Sequence, residues 1–550
     1  MLVSLIDGLF IFYIIFYLSL FILPLFNISN ISGPTIGLVF LCCLRYKINK
    51  NNFFENPFMR TLRNISRLSD KTLLSILILI IFLTLSILSI TRHLSFSSGS
   101  SDLGIFDQAI WNTAQGNILF SSLKGNINLL GDHFEPILLV IAPLYKIWPS
   151  ALVLLILQSF LLAFAIVPLY LIASKILKSR FLIFVFIVSY ILSEAMRGVA
   201  LSDFHPECFI LLFLFWAYYF LLQKKNLWLF FVTFLLLLCK EDTAFLISGL
   251  GIFALFFQKR FKTGAALFII GIAAWALQTK FIIPYFNPAG KYSYMDRFPF
   301  GLTYADNLRA VLGDPSLLVK LLFQKAKIIY CLKLLGPVVF LPLLSPAHYI
   351  LVAIPLFKNL LLAHINFSGF YDITSHYTAG IIPFIYIGAI YGAGWLARKL
   401  HLRKAALFIG GFALLSSLFF YGKTDGYQLA RFTEGIKNNH SIEKLSYLRL
   451  VPAEASVATN FNIVPHLSHR KYIFEWNPNS RMSKITEYLV IDMDLLEYLS
   501  PSDIANIAPY FAEIKNMGYR KVFSSPDGKF LIFHNPAIDK SLVERVSFTP

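Results

Sequence analysis

A chain of 550 residues that is 57% hydrophobic and only 14% charged is not an ordinary soluble globule, where roughly a quarter of residues carry charge. With 55 Phe and a mean hydropathy of +0.67, most of its apolar surface must face lipid. The net charge of +18 sits in short loops between apolar runs rather than in a basic stripe interleaved with aromatics, which argues against nucleic acid as a partner.

The five cysteines (Cys42, Cys43, Cys208, Cys239 and Cys331) lie in or beside apolar segments and form no CxxC pair. Neither a disulfide framework nor a zinc site has support. The N-terminus lacks a basic region and a small-residue cleavage site, so its long apolar run reads as a retained first helix.

A membrane-spanning helix needs about 20 predominantly apolar residues. In chain order the clear candidates are Leu2 to Phe26, Thr72 to Thr91, Ala151 to Ser174, Phe181 to Arg197, Cys208 to Gln223, Thr263 to Phe286, Tyr377 to Ala397 and Ala405 to Tyr421. Weaker ones, short enough to be tilted, broken or re-entrant, are Ile31 to Leu44, Leu227 to Cys239, Thr243 to Phe257, Ile329 to Leu344 and Tyr349 to Ala363. Together they predict a polytopic α-helical membrane protein of about 13 spans.

Lys and Arg set the orientation. Arg45, Lys47, Lys50, Arg60, Arg63, Arg67 and Lys71 share one loop, and later groups are Lys175/Lys178/Arg180, Lys224/Lys225, Lys259/Arg260/Lys262 and Arg398/Lys399/Arg403/Lys404. Alternating the spans places every group on one side, the cytoplasm. The N-terminus is then cytoplasmic and the tail extracytoplasmic. The predicted division is 1–72 for N-terminal helices and the basic loop, 73–421 for the main transmembrane domain with a first outer loop at 92–133, and 422–550 for a soluble α/β domain.

In that tail, Ser456 to Thr459, Tyr488 to Asp492, Lys521 to Ser524 and Lys529 to His534 read as strands, the last two joined by a turn at Pro526-Asp527-Gly528. Glu443 to Arg449 and Pro501 to Met517 read as helices.

The residues with chemical potential gather on the outer face. Asp102 and Asp107 open an amphipathic stretch at the membrane surface, where a carboxylate can serve as general base, metal ligand or helix cap. Asp132, His133 and Glu135 precede Pro136 at a loop-to-helix junction. Asp203, His205 and Glu207 repeat that flavour and could hold a divalent cation, though the spacing matches no standard site; capping and salt bridging is the plainer reading. Lys240, Glu241 and Asp242 lie between two apolar segments, where charges are costly unless paired or hydrated; Lys240 could meet a phosphate or close a helix hairpin with a carboxylate. His376 and Tyr377 open an apolar helix as a phosphate contact or an interface anchor. No nucleotide-binding loop, serine-hydrolase elbow or HExxH motif is present in usable context.

The run Asp102-Leu-Gly-Ile-Phe-Asp-Gln-Ala-Ile-Trp111 with Gly116, Asp132 to Pro136 and Ala142 to Tyr145 resembles domain-of-unknown-function family 2079, predicted polytopic membrane proteins. Asp203 to Glu207, Lys240 to Asp242, His376-Tyr377, Ala455 to Thr459 and Val464 to Arg470 extend the likeness. That family in turn resembles the GT-C membrane glycosyltransferases, through an outer-loop acid (Asp102), a following Gly (Gly116) and a charged-Pro junction (Glu135-Pro136). Leu103 stands where a second acid is common, and His376 where an Arg often precedes the Tyr. The resemblance implies transfer of a sugar from a polyprenyl-phosphate donor to a glycan, lipid or protein acceptor on the extracytoplasmic face. Asp102 would be general base, with Lys240, His376 and Tyr377 at the donor phosphate. Asp132, His133, Glu135, Asp203, His205, Glu207, Glu241 and Asp242 would lie on the acceptor side, and no cofactor is required beyond the open question of a divalent cation. The alternatives are a transporter or lipid flippase, and a non-catalytic scaffold.

Overall fold

The computed structural model describes residues 67–294, 299–301, 304–361, 368–400, 405–421, 440–476, 485–494, 507–538 and 543. The expected spans at 2–26 and 31–44, most of the basic loop after them and residues 422–439 lie outside the described residues. The chain is mostly helical, with a separate small sheet near its C-terminus.

The first described long helix, α1 (Asp70–Leu94), shows why these elements form where they do. Ser69 caps it by accepting from the Thr72 amide, Asp70 stands in its first turn, and Arg92 and His93 in its last. Asp70 at the start and the Arg92 charge at the end complement the helix dipole. Leu74, Ile81, Leu85 and Ser89 face inward, while Leu79, Leu83 and Ile87 are exposed apolar side chains on the opposite face. A helix whose outer face is this apolar is built for a lipid surround.

After α1 the chain makes a π-turn (Ser100–Gly104) running into α2 (Ile105–Ala114), then a two-strand hairpin, β1 (Phe120–Ser121) and β2 (Ile127–Asn128). The bundle follows: α3 (Ile137–Ile147), α4 (Ala151–Phe164), α5 (Ile166–Ile176), α6 (Arg180–Leu192), α7 (Glu194–Leu201), α8 (Glu207–Gln223), α9 (Asn226–Leu237), α10 (Thr243–Phe256) and α11 (Phe261–Leu277). A π-turn carries α11 into α12 (Ile283–Phe286). Then come α13 (Tyr304–Gly313), α14 (Ser316–Leu322), α15 (Lys325–Leu335), α16 (Tyr349–Leu361), α17 (Ile382–Leu400) and α18 (Ala405–Tyr421).

The expected count of about 13 spans is not confirmed, and two of the expected spans lie outside the described residues. Among the described residues three helical stretches are long and apolar enough to cross a membrane: Asp70–Leu94, Ala151–Ile176 and Phe261–Phe286. A fourth joins α6 and α7, bent by 46° at Ser193. Other apolar runs form helices of 10–17 residues, about 15–25 Å at 1.5 Å per residue, short of a 30 Å hydrocarbon layer. Two of these helices carry an internal proline, Pro143 in α3 and Pro355 in α16. One continuous hydrophobic core runs through the bundle from Leu74 to Ile409.

The C-terminal unit contains α19 (His440–Leu448), β3 (Val457–Thr459), the short α20 (Val464–Leu467), β4 (Ile473–Glu475), β5 (Tyr488–Asp492), α21 (Ile507–Asn516), β6 (Arg520–Ser524) and β7 (Phe530–His534). The sheet order is β4-β3-β5-β7-β6. β3 runs parallel to both β4 and β5, whereas β7 is antiparallel to β5 and β6. Alternation along each strand covers both faces. Leu489, Ile491, Leu531 and Phe533 pack with Ile514 on one side, and Val490, Phe530 and Ile532 with Leu448 and Val464 on the other. Gly528, at φ +73°, takes the turn between β6 and β7. Strand β4 is not among the strands expected from the sequence.

The unit docks on the 95–122 segment. A Cβ on Gly99 would sit 2.2 Å from the Phe461 ring, and one on Gly104 2.8 Å from Val464. Gln108 Nε2 donates to the carbonyls of Arg470 (3.2 Å) and Lys471 (3.0 Å), while its Oε1 accepts from Ser121 Oγ. Ser122 Oγ donates to the Ile473 carbonyl at 2.6 Å and accepts from the Ile473 amide at 2.9 Å.

Candidate functional site

Six residues chosen from sequence come together at one end of the bundle: Asp102, His205, Glu207, Lys240, His376 and Tyr377. Each stands at the edge of an apolar segment. Asp102 lies in the π-turn before α2, His205 and Glu207 flank Pro206 at the start of α8, Lys240 precedes α10, and His376-Tyr377 form a 3₁₀ turn before α17.

They form a chain of contacts. His205 Nε2 donates to Asp102 Oδ1 at 3.0 Å, and its Nδ1 donates to the Asp203 carbonyl at 2.8 Å. Both ring nitrogens thus face acceptors, which requires both to carry protons. The His205 ring stacks on His376 with centroids 3.5 Å apart. His376 Nε2 is 3.8 Å from Glu207 Oε1, which accepts from Lys240 Nζ at 2.6 Å. Lys240 Nζ lies 5.9 Å from the centre of the Tyr377 ring.

The electrostatics agree with that geometry. Burial opposes the charge on Asp102, but His205 outweighs it by charge and hydrogen bond and holds the carboxyl at about 2. Burial likewise opposes charge on His205, and Asp102 overrides it, lifting the imidazole to about 9. Burial, then the charge on His205, pulls His376 well below its ordinary value, leaving it neutral. Asp102 keeps 40% of its side chain exposed while His205 keeps 6%, so the carboxylate is the end of the chain that a solute can reach.

A second group adjoins the first. His133 Nδ1 lies 2.7 Å from Glu241 Oε1, the Phe134 amide donates to Glu241 Oε2 at 3.1 Å, and Tyr292 OH donates to Oε1 at 2.9 Å. Asp132 pairs with Lys124 at 2.7 Å and accepts from Tyr294, whose ring stacks on His133. Asp242 pairs with Lys358 at 2.5 Å. Glu135 is buried, and burial pushes its carboxyl up to about 7.

Between these groups opens a cavity of about 570 Å³, with Glu207, Lys240, Glu241, His133 and Tyr377 on its polar side and Phe245, Trp275 and Ile354 among its apolar walls. Glu207 Oε2 is buried without a hydrogen-bond partner among the described residues.

Two sets of residues go elsewhere. Asp203 is engaged by Arg92 and by the Gly99 amide (2.7 Å), holding the π-turn against α7. Asp203, His205 and Glu207 therefore do not converge on one point. Among the described residues no group of three His, Cys, Asp or Glu side chains is placed for a metal ion. Their separate partners leave the divalent-cation reading without a ligand set.

Asp107 lies in a different cluster and is fully buried. It accepts from Tyr145 OH at 2.5 Å and from Ser468, and pairs with His469 Nε2 at 3.0 Å. Despite burial, the charge and hydrogen bond of His469 hold its carboxyl below the ordinary value. Asp107 ties the C-terminal unit to the bundle.

Sequence reasoning missed Lys358, Tyr292, Tyr294 and His469. Lys358 had a visible signal, as a lone cation inside the apolar run of α16, where an unpaired charge is expensive. The tyrosines carried none.

No curated protein matches the sequence. A family model described as "Predicted membrane protein (DUF2079)" matches residues 92–511, which includes every residue of both clusters. The chain belongs to this DUF2079 family of predicted membrane proteins.

Proposed function

We propose that the protein is an extracytoplasmic membrane glycosyltransferase that moves a sugar from a polyprenyl-phosphate donor to an acceptor hydroxyl. The observation that carries this reading is a reachable, ionised carboxylate, Asp102, linked through His205, His376 and Glu207 to Lys240, a buried cation that lines a largely apolar cavity. A lipid-linked donor needs apolar walls for its chain and positive charge for its phosphate.

In this scheme Asp102 receives the proton of the acceptor hydroxyl as its oxygen bonds to the anomeric carbon. The bond from that carbon to the phosphate oxygen breaks, with inversion, and the phosphate leaves as an anion. Lys240 stabilises the negative charge, drawing away from Glu207, and Glu207 Oε2 accepts from a sugar hydroxyl. His205 keeps Asp102 ionised and fixes its direction, since only an ionised carboxylate can take the proton. The C-terminal unit, docked beside Asp102, would select the acceptor.

The transporter or flippase alternative draws on buried charge pairs in the bundle, Lys240 with Glu207 and Lys333 with Glu194 at 3.1 Å.

Mass spectrometry of lipids extracted with the purified chain tests the donor, and comparison of native and Asp102→Asn membranes tests the chemistry. The transferase reading requires a retained polyprenyl-phosphate sugar and its accumulation in the variant. No retained polyprenyl species, or equal transfer by both chains, would defeat it, and donor movement across vesicles without transfer would favour the alternative.

A further inference from the structure

The far ends of the helices that frame the candidate site enclose a second cavity. Helix α8 runs from Glu207 at the first cluster to Lys224 just past its other end, α10 lies between Asp242 and Phe257, and α17 begins just after Gly380 and carries Arg398 in its last turn. There they bound a space of about 550 Å³ lined by Lys224, Arg260 and Arg398, with Phe257, Leu344 and Trp395 as its main apolar surfaces. Ser345 and His348 form its floor. The His348 ring is buried, with Nδ1 2.7 Å from Ser345 Oγ and Nε2 2.8 Å from Tyr218 OH.

Three cations line this cavity, and no carboxylate lines it among the described residues. The segregation is already written in the chain. After Glu207 no Asp or Glu occurs until Glu241, after Asp242 none until Asp296, and after Asp372 none until Asp425. The segments that build the cavity therefore bring no acid of their own to neutralise it. Arg260 is partly occupied, donating to the Leu221 carbonyl at 2.8 Å and to Asn226. The Lys224 and Arg398 side chains are exposed and have no hydrogen bond or ion pair among the described residues. Phe257, Leu344 and Trp395 are exposed as well, so the cavity mouth is cationic and apolar at once.

We propose that this cavity binds a phosphate-bearing anion, with the apolar rim selecting the headgroup of an anionic membrane phospholipid over free phosphate. Guanidinium and ammonium groups converging on a space with no competing carboxylate suit a phosphate, and the exposed rings beside them suit the first methylenes of acyl chains. The site is separate from the Asp102 cluster and does not depend on what that cluster does.

The test uses the full chain in nanodiscs of equal parts phosphatidylcholine and phosphatidylglycerol, with retained lipids counted by native mass spectrometry. The pair Lys224→Asn and Arg398→Gln removes the two open cations. The pair Lys259→Asn and Lys262→Gln removes the same charge from the same end but outside the cavity. Asn is chosen at 224 and 259 because both hold a left-handed backbone (φ +58° and +55°) that Asn tolerates. The native chain and the second pair should retain phosphatidylglycerol over phosphatidylcholine, and the first pair should lose about tenfold of that preference. Millimolar inorganic phosphate should leave retention unchanged; displacement by phosphate would move the assignment to a soluble phosphate ligand of the same site. Equal loss in the two variant pairs, or no preference in the native chain, would overturn the proposal.

Discussion

His205 and His376 lie face to face, with ring centroids 3.5 Å apart and 19° between their planes. Burial, reinforced by the charge that Asp102 holds on His205, keeps His376 neutral. The stack links an exposed carboxylate, through His205 and His376, to the buried Glu207–Lys240 pair.

The ion pair sets a pH window. His205, raised from 6.5 to about 9, contributes stability that is complete below pH 6.5 and is lost as pH rises through 9. Asp102, lowered from 3.8 to about 2, contributes above pH 3.8 and loses that as pH falls through 2. The thermal unfolding midpoint of the native chain should exceed that of Asp102→Asn most between about pH 4 and 6.5. The two curves should meet above pH 9, and a difference independent of pH would contradict the pairing.

Lys240→Met should destabilise the bundle by about 3–5 kcal/mol, because it strands the Glu207 carboxylate in a buried place. The double variant Lys240→Met with Glu207→Gln should recover much of that loss. Denaturation of the three chains in one detergent checks this, and a double variant no better than the single would show that Lys240 acts through another partner.

Asp107→Asn should loosen the C-terminal unit. The change puts an amide where Tyr145, Ser468 and His469 all present donors, at a cost of about 3 kcal/mol for an unpaired buried group. Limited proteolysis should release a fragment from the variant faster than from the native chain. Identical digestion patterns would mean that Gln108 and Ser122 suffice.

Gly392→Ala should disturb the bundle far from either cluster. A Cβ there would sit 2.0 Å from the Leu341 carbonyl oxygen, so α17 must shift off the 3₁₀ turn Leu341–Leu344, losing about 1–3 kcal/mol. A thermal midpoint unchanged within error would show that the two segments pack more loosely.

The positions with chemistry were legible because they break a local rule. Asp102, His205, Glu207, Lys240 and His376 are charged or titratable residues set against apolar runs, a placement that shows in sequence as an expense. Their partners were not legible. Lys240 does close a helix hairpin with a carboxylate, one of its two expected roles, but that the partner is Glu207, 33 residues back, was not readable, and Asp107 meets His469 across 362. Pairings at such range leave no period or spacing to read. The described helices confirm fewer spans than hydropathy suggests, since hydropathy reports that a run is apolar without reporting whether lipid or another helix covers it. Cys208, Leu211 and Phe215 in α8 are fully buried in protein.

Ser122 Oγ donates to the Ile473 carbonyl and accepts from the Ile473 amide, on an edge strand of the C-terminal sheet. That contact spans 351 residues, so the loop leaves the ribosome long before the strand it will meet. Bare strand edges recruit other chains, and closing so long a loop is slow. A nascent tail therefore depends for protection on a loop already in place, and damage to residues 95–122 should surface as aggregation of a tail whose own sequence is intact.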